Sequence, residues 1–136
     1  MARIVVVEDD GALRNDLGDK LTDWKHEVML ARSIEEGQAA IEIFRPDIVL
    51  SDINMPSGSG FLLCDKMSDR SIKYPGMSFI FISAMQAPLA VAYGFDCGAD
   101  DYVVKPIDYG QLRETIEFHL NKKQKSWSSS LLKRFA

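Results

Sequence analysis

The chain has 136 residues, the length of one domain, and a formal net charge of −4. Its 46% hydrophobic and 26% charged residues exclude the collagen, coiled-coil and disordered classes, and no apolar run approaches the roughly 20 residues that a membrane helix needs. Residues 1–120 carry a net charge of −9, which argues against nucleic-acid binding by this part, and residues 121–136 carry +5.

The first half of the chain alternates strands with helices. Arg3–Val7 is a β-branched apolar run, typical of a strand that is buried on both faces. Residues 10–24 then carry leucines at helical spacing, and Glu27–Ala31 is a second short strand. A Ser-x-x-Glu capping box at Ser33 opens a helix that runs toward Phe44.

The second half continues the alternation. Its predicted elements are, in chain order, a strand at Asp47–Ser51, a loop at Asn54–Gly60, a helix through Met67, a strand at Ser78–Ser83, a helix at Ala87–Cys97, a strand at Asp101–Val104, and a helix that Asp108 caps and that reaches Leu120. Five strand–helix repeats predict an α/β domain with a five-stranded parallel sheet and helices on both faces.

The basic segment 121–136 follows the domain, which we bound at residues 1–120, as a C-terminal tail or linker. Trp127, Leu131 and Phe135 are spaced at i, i+4 and i+8, which would form an apolar stripe on a helix. Two interpretations stay open, because its three consecutive serines are mediocre helix formers. The tail is either a frayed linker or a continuation of the last helix that packs on a second copy or joins an output domain.

The cysteines and histidines do not form a metal site in the sequence. Cys64 and Cys97 lie 33 residues apart with no CxxC motif, a pattern that favours small core thiols over a disulfide or zinc site. His26 and His119 are too scattered for an imidazole cluster. Any metal here should therefore be a hard cation bound by oxygen. Acidic residues follow the first apolar run directly, unlike a signal peptide, so we expect a cytoplasmic location.

Polar side chains collect at the ends of the predicted strands. Glu8 and Asp9 follow the first strand, Asp52 the third, Ser83 the fourth and Lys105 the fifth. In an open parallel sheet these ends meet at one edge, where ligands bind. Two carboxylates about 4 Å apart repel by roughly 4 kcal/mol at an effective dielectric of about 20. A divalent cation, a lysine or a proton must balance them.

This set of groups favours phosphoryl-transfer chemistry. Mg²⁺ prefers one or two carboxylates together with phosphate oxygens, and a carboxylate can attack phosphorus to give an aspartyl phosphate. A metal, an ammonium and a hydroxyl would neutralise and position the phosphoryl oxygens. Taken singly, the acids are better explained as helix caps, Ser83 as a strand-end hydroxyl, Lys105 as a surface charge and Tyr102 as a half-buried aromatic. Their joint placement at successive strand ends favours the functional interpretation.

The sequence closely resembles the receiver domains of two-component response regulators over residues 3–120. The resemblance implies a doubly wound, flavodoxin-like fold with strand order 2-1-3-4-5 and five helices. It rests on the motifs Val5-Val6-Val7-Glu8-Asp9-Asp10, Asp47-Ile48-Val49-Leu50-Ser51-Asp52-Ile53-Asn54-Met55-Pro56, Gly60, Ile82-Ser83-Ala84 and Gly98-Ala99-Asp100-Asp101-Tyr102-Val103-Val104-Lys105-Pro106.

The resemblance implies a metal site and a phosphorylation site. Asp52 would be the phosphoacceptor and, with Asp9 and the backbone carbonyl of Asn54, would bind Mg²⁺. Glu8 would act on the metal mostly through water. Ser83 and Lys105 would contact the phosphoryl oxygens, as the other catalytic groups beside Asp52.

Further residues would shape and tune this site. Tyr102 would be an aromatic switch whose rotamer follows Ser83. Asn54 and Met85 would flank the route of the hydrolytic water, and Met85 would slow hydrolysis because its side chain cannot orient water. Met55, Pro56 and Gly60 would shape the loop after the phosphoacceptor. The peptide bond between Lys105 and Pro106 would be cis.

The function implied by the resemblance is a Mg²⁺-dependent phosphoryl transfer to Asp52 from a sensor histidine kinase or a histidine phosphotransfer protein. Such a domain promotes its own phosphorylation and dephosphorylation, so we do not expect a conventional enzyme. Its state would switch contacts with a downstream protein, with an output domain, or with a second copy through the surface of helix 87–97, strand 101–104 and the last helix. We expect no nucleic-acid or membrane partner.

Two alternative functions compete with this one. A flavin-binding electron carrier has a similar topology, but the segment after the first strand, Glu8-Asp9-Asp10-Gly11, would repel a flavin phosphate unless a metal intervened. A degenerate receiver that only binds partners is disfavoured because the set Asp9, Asp52, Ser83 and Lys105 is complete.

Overall fold

The computed structural model of the chain describes residues 1–56, 58–84, 93 and 95–135, with side chains of the last helix described up to residue 122. The strands are β1 (Arg3–Val7), β2 (Glu27–Ala31), β3 (Ile48–Asp52), β4 (Asn54–Met55), β5 (Gly58–Ser59), β6 (Ser78–Ser83) and β7 (Asp101–Val104). The helices are α1 (Gly11–Asp23), α2 (Ile34–Phe44), α3 (Gly60–Lys66), α4 (Arg70–Lys73) and α5 (Tyr109–Phe135).

Five of the strands form one parallel sheet in the order β2-β1-β3-β6-β7. This is the predicted order 2-1-3-4-5, since β6 and β7 are the fourth and fifth strands of the sheet. Ile4 of β1 is paired with Val28 on one side and with Ile48 on the other. β3 is also an interior strand, because Ile48 is paired with Ile4 of β1 on one side and with Ser78 of β6 on the other, which explains why all five of its residues are buried.

Alternate residues of the central strands enter two separate cores. Val5, Val7 and Val49 pack with α2 and α3, whereas Ile4 and Val6 pack with α1 and α5. Because successive strand residues point to opposite faces, one continuous apolar run supplies both cores. The sheet is therefore covered by helices on both faces, as predicted for a doubly wound fold.

Side-chain caps begin the helices where the sequence predicts them. The Asp10 carboxylate accepts hydrogen bonds from the backbone N–H groups of Ala12 and Leu13. Ser33 Oγ accepts from the Glu36 N–H, whereas the Glu36 carboxylate reaches back one residue further, to the N–H of Arg32. These caps satisfy N–H groups that have no partner inside the helix.

Two local predictions require correction, and one short helix was not predicted. Residues 54–60 were predicted to be a loop, but they contain the antiparallel pair of β4 and β5, with Asn54 opposite Ser59. One-turn helix α4 was not predicted. Helix α3 ends at Lys66, and Met67 is its C-cap. Strands and helices of so few residues carry no detectable hydrophobic period, which is why the sequence did not indicate them.

The last helix extends beyond residue 120, the predicted end of the domain. It runs from Tyr109 to Phe135, so the basic segment continues it as a helix. The boundary at residue 120 stays a prediction. Most of the predicted helix 87–97 lies outside the described residues, although Tyr93, Phe95 and Asp96 are helical. Within the described part of the chain, no helix is both long and apolar enough to cross a membrane.

Candidate functional site

Three carboxylates meet at the carboxyl ends of β1 and β3. Glu8 and Asp52 are almost fully buried, with exposures of 2% and 7%, and Asp9 is exposed. One carboxylate oxygen from each of Glu8, Asp9 and Asp52 lies within 4.8 Å of the others. The predicted convergence of these acids is therefore present in the structure.

Lys105 brings a positive charge to the two buried acids. Its Nζ lies 3.3 Å from Glu8 Oε2 and 3.2 Å from Asp52 Oδ2. The Lys105 N–H donates to the Ser83 carbonyl at 2.8 Å, so the end of β7 is tied to the end of β6. The peptide bond between Lys105 and Pro106 is cis, as the resemblance implies.

The electrostatics of this group favour cation binding. Burial, and then the neighbouring charge of Asp52, raises the pKa of Glu8. Burial opposes the charged form of Lys105, but the carboxylates of Glu8 and Asp52 outweigh it and raise the pKa of Lys105. One lysine thus faces two buried carboxylates, with a third acid, Asp9, beside them. Clustered oxygen ligands that carry surplus negative charge fit a hard divalent cation such as Mg²⁺.

The backbone around Asp52 is closely held. The Ile53 N–H donates to Asp52 Oδ1 at 2.7 Å, and Ser51 Oγ donates to the Asp52 carbonyl at 2.9 Å. The Gly60 N–H donates to the Ile53 carbonyl at 2.7 Å. A side chain at Gly60 would collide with the Asp52 carbonyl oxygen. Only glycine therefore lets the start of α3 lie this close to the proposed phosphoacceptor.

Ser83 ends β6, and Tyr102, the second residue of the adjacent strand β7, contacts it. Ser83 is 2% exposed, and its hydroxyl shares a hydrogen bond with the half-buried Tyr102 hydroxyl. Burial raises the pKa of Tyr102, and the hydrogen bond to Ser83 partly offsets that rise. The Tyr102 ring also packs edge-on against Phe81, with 6.3 Å between ring centroids. The two residues that the resemblance couples as a switch are therefore direct neighbours.

Three further predicted site residues follow Asp52 closely in the chain. Asn54 and Pro56 are exposed and Met55 is buried in the β4–β5 region that follows Asp52. Met85 lies outside the described residues, so its predicted effect on hydrolysis stays a prediction. The proposed metal ligation by the Asn54 carbonyl likewise stays a prediction.

Two contacts were missed by sequence reasoning, one at the site and one at the beginning of β7. Arg14 Nη1 donates to the carbonyl oxygens of Glu8 and Asp9 at 2.9 and 3.3 Å. His119 is buried, and its Nε2 lies 2.8 Å from Asp101 Oδ2, next to the Tyr102 strand position. Both contacts depend on how a helix is placed against a strand end. Spacing within the sequence gave no signal for them.

Known proteins are similar to this chain throughout the domain. The family model described as "Response regulator receiver domain" matches residues 4–117. Transcriptional regulatory protein AfsQ1 of Streptomyces coelicolor is 36% identical over 107 residues, which are 79% of this chain and 46% of that protein. The uncharacterized transcriptional regulatory protein YvcP of Bacillus subtilis is 33% identical over 131 residues, 96% of this chain and 54% of that protein. The chain thus spans about half the length of these curated relatives.

Solved structures give the same result. The crystal structure of a CheY-like response regulator receiver domain protein from Methanospirillum hungatei is 29% identical, with a TM-score of 0.83 over 93% of this chain and 98% of that one. Sequence motifs, sheet order and the acidic strand ends agree with this match. The chain accordingly belongs to the family of response regulator receiver domains, the phosphoacceptor switches of two-component signal transduction.

Proposed function

We propose that Asp52 accepts a phosphoryl group from a phosphohistidine and that Mg²⁺ is required for the transfer. The observation that carries this proposal is the meeting of Glu8, Asp9 and Asp52 with Lys105 at one edge of the sheet. A carboxylate oxygen of Asp52 forms the new bond to phosphorus, while the bond from phosphorus to the donor imidazole breaks and its electron pair returns to nitrogen. The product is an aspartyl phosphate.

The chain supplies the groups that hold the phosphoryl oxygens. Lys105 already lies 3.2 Å from Asp52 Oδ2, so its ammonium can follow the negative charge from the carboxylate to the phosphoryl group. The Ser83 hydroxyl is the neighbouring donor. Asp9, Asp52 and the Asn54 carbonyl would bind Mg²⁺, with Glu8 acting mostly through water, and the metal would neutralise the equatorial phosphoryl oxygens.

Phosphorylation would change the surface through Ser83 and Tyr102. A phosphoryl group adds strong acceptor oxygens, toward which Ser83 moves. Tyr102 then turns into the space behind Ser83, and the surface formed by residues 87–97, β7 and α5 changes shape. Shifting the ratio of switched to unswitched molecules from 1:99 to 99:1 needs roughly 5.5 kcal/mol of differential stabilisation. A few charge-assisted contacts of about 1.5–3 kcal/mol each can supply it.

The partners and the location are part of the proposal. A sensor histidine kinase or a histidine phosphotransfer protein would be the donor. The altered surface would engage a downstream protein, an output domain or a second copy of the chain. A polar side chain at Met85 would speed loss of the phosphoryl group. We place the protein in the cytoplasm, as a switch and not as a conventional enzyme.

Phosphate incorporation from acetyl phosphate tests the nucleophile. Asp52→Asn should incorporate none in the presence of Mg²⁺, because an amide oxygen is a far weaker nucleophile toward phosphorus than a carboxylate oxygen. The readout is intact mass after reaction, with and without a chelator. Asp69→Asn is the matched control, since Asp69 is a surface acid paired with Lys73. Incorporation into Asp52→Asn at the unmodified level would overturn the assignment.

Ser83→Ala separates transfer from switching. This variant should still accept phosphate while losing the coupled change at Tyr102, because the hydroxyl that links the two is gone. The measurement is the phosphorylation-dependent shift of Tyr102 ring resonances by NMR. A full Tyr102 shift in Ser83→Ala would contradict the proposed coupling.

A further inference from the structure

The side chain of Arg14 contacts the backbone beside the three acids. It leaves the first turns of α1 and folds back to the end of β1. Its Nη1 donates to the Glu8 carbonyl at 2.9 Å and to the Asp9 carbonyl at 3.3 Å. Arg14 is half-buried in this position. A single guanidinium nitrogen therefore holds the backbone carbonyls of two acids at the site.

Glu8 and Asp9 differ in how their carboxylates are held. Glu8 Oε1 accepts from the Asp10 N–H at 3.2 Å, and Glu8 Oε2 faces Lys105 at 3.3 Å. Among the described residues, no hydrogen bond or ion pair reaches the Asp9 carboxylate. The direction of the Asp9 side chain is therefore set by its backbone, and Arg14 is the side chain bonded to that backbone.

We propose that Arg14 is a positioning residue for the divalent-cation site. It fixes the Glu8–Asp9 backbone so that the Asp9 carboxylate stays beside Asp52. This inference rests on the proposed function, because it assigns Arg14 a role in the metal binding that the function requires. Partners that orient metal ligands typically contribute about 10–100-fold to metal affinity.

The direction of the change in Mg²⁺ affinity distinguishes a positioning role of Arg14 from an effect of its charge. A guanidinium near the acids repels a cation, so loss of its charge alone would tighten Mg²⁺ binding. Loss of its hold on the backbone would weaken binding. Arg14→Gln removes both the charge and the hydrogen bonds to the carbonyls, and Arg14→Lys keeps the charge on a side chain of different reach and geometry.

Titration with MgCl₂, followed by the amide NMR shifts of residues 9–11, measures the effect. We expect the Mg²⁺ dissociation constant to rise by about tenfold in Arg14→Gln and by a smaller factor in Arg14→Lys. Arg32→Gln is the matched control, because Arg32 follows β2 at the same edge of the sheet and pairs with Glu36 instead. The Mg²⁺ dissociation constant of Arg32→Gln should stay unchanged or fall slightly. An unchanged or lower constant in Arg14→Gln would overturn the inference.

Amide hydrogen exchange without metal gives a second, independent measurement. Arg14→Gln should exchange faster at residues 9–13 only, with the amides of β3 unchanged. Faster exchange throughout the sheet would indicate a general loss of stability and would overturn the positioning role. If the unmodified protein itself failed to bind Mg²⁺, the proposed function would fall as well. Normal binding by both the unmodified protein and the Arg14 variants would remove this inference alone.

Discussion

At the scale of single residues, Glu8 combines burial with negative charge at a cost in stability. Its carboxylate is 2% exposed and lies near Asp52, and Lys105 is shared between the two acids. A buried carboxylate beside another acid favours its protonated form. The metal-free protein therefore holds a destabilising charge that bound Mg²⁺ would relieve.

Glu8→Gln should make the metal-free protein more stable at pH 7.5. Because the pKa of Glu8 is raised above its ordinary 4.5, the folded state binds this proton more tightly than the unfolded state. The stability that this proton gives is present below pH 4.5 and is lost as the pH rises through the raised pKa. Urea unfolding at pH 7.5 should give Glu8→Gln a free energy of unfolding about 1 kcal/mol higher than that of the unmodified protein.

The pH and metal dependence give the control for this prediction. The advantage of Glu8→Gln over the unmodified protein should shrink as the pH is lowered toward 4.5, because Glu8 then becomes protonated. Added Mg²⁺ should stabilise the unmodified protein more than the variant. An advantage that is independent of pH would mean that the effect does not come from the charge of Glu8.

The sequence predicted the residues of the site better than their bonds. Strand ends in a parallel sheet meet at one edge, so Glu8, Asp9 and Asp52 could be placed together from their positions alone. The hydrogen bond between Ser83 and Tyr102 was not predicted as such, and the contacts of Arg14 were not predicted at all. Side-chain geometry at that level depends on tertiary packing.

At the scale of elements, the contact between α3 and β3 fixes the proposed phosphoacceptor. Gly60 begins α3, and a methyl group there would collide with the backbone carbonyl of Asp52, with Ile53 Cα only 3.0 Å away. Backbone atoms cannot yield as a flexible side chain can. The start of this helix therefore sets the position of the strand end.

Gly60→Ala should destabilise the fold by about 1–3 kcal/mol, because the helix start must shift away from β3. Gly11→Ala is the matched control, since Gly11 also begins a helix but a methyl group there would lie 3.5 Å from its nearest neighbour, Arg14 Nη2. It should be neutral or slightly stabilising. Urea unfolding of both variants is the measurement. Equal stability of the two would contradict the role assigned to Gly60.

The strands of the parallel sheet were predictable, and the short elements between β3 and β6 were not. The bounds of β1, β2, β6 and β7 match the apolar runs of the sequence, and β3 is displaced by one residue. The β4–β5 pair has two residues in each strand, and α4 has one turn, so neither can show a hydrophobic period. Their formation depends on the chain between β3 and β6 packing against the sheet.

At the scale of the whole molecule, the chain divides into an acidic body and a basic helical extension. The core contacts of α5 come from residues between Tyr109 and Leu120 in the part whose side chains are described. The backbone of the helix continues to Phe135. Deleting residues 122–136 removes all five positive charges of the tail and leaves a body with a net charge of −9.

This deletion should leave the stability of the body within about 0.5 kcal/mol, since the described core contacts of α5 all lie at or before Leu120. Sedimentation equilibrium should report a mass lower only by the deleted residues, and circular dichroism should lose the helical signal of the tail. A fall to half the mass would instead mean that the tail joins two copies. A large loss of urea stability would mean that it packs on the body.

The hydrogen bond between Ser83 and Tyr102 has a consequence for how sharply the protein can respond. A serine hydroxyl carries one proton, so it can donate to only one acceptor at a time. If that proton goes to a phosphoryl oxygen, Ser83 can then meet Tyr102 only as an acceptor. The two signalling states would then differ in which oxygen accepts the Ser83 proton, since one hydroxyl cannot donate to the phosphoryl group and to Tyr102 at once. Intermediate outputs from a population of these proteins would therefore reflect the fraction of molecules switched and not a half-switched molecule.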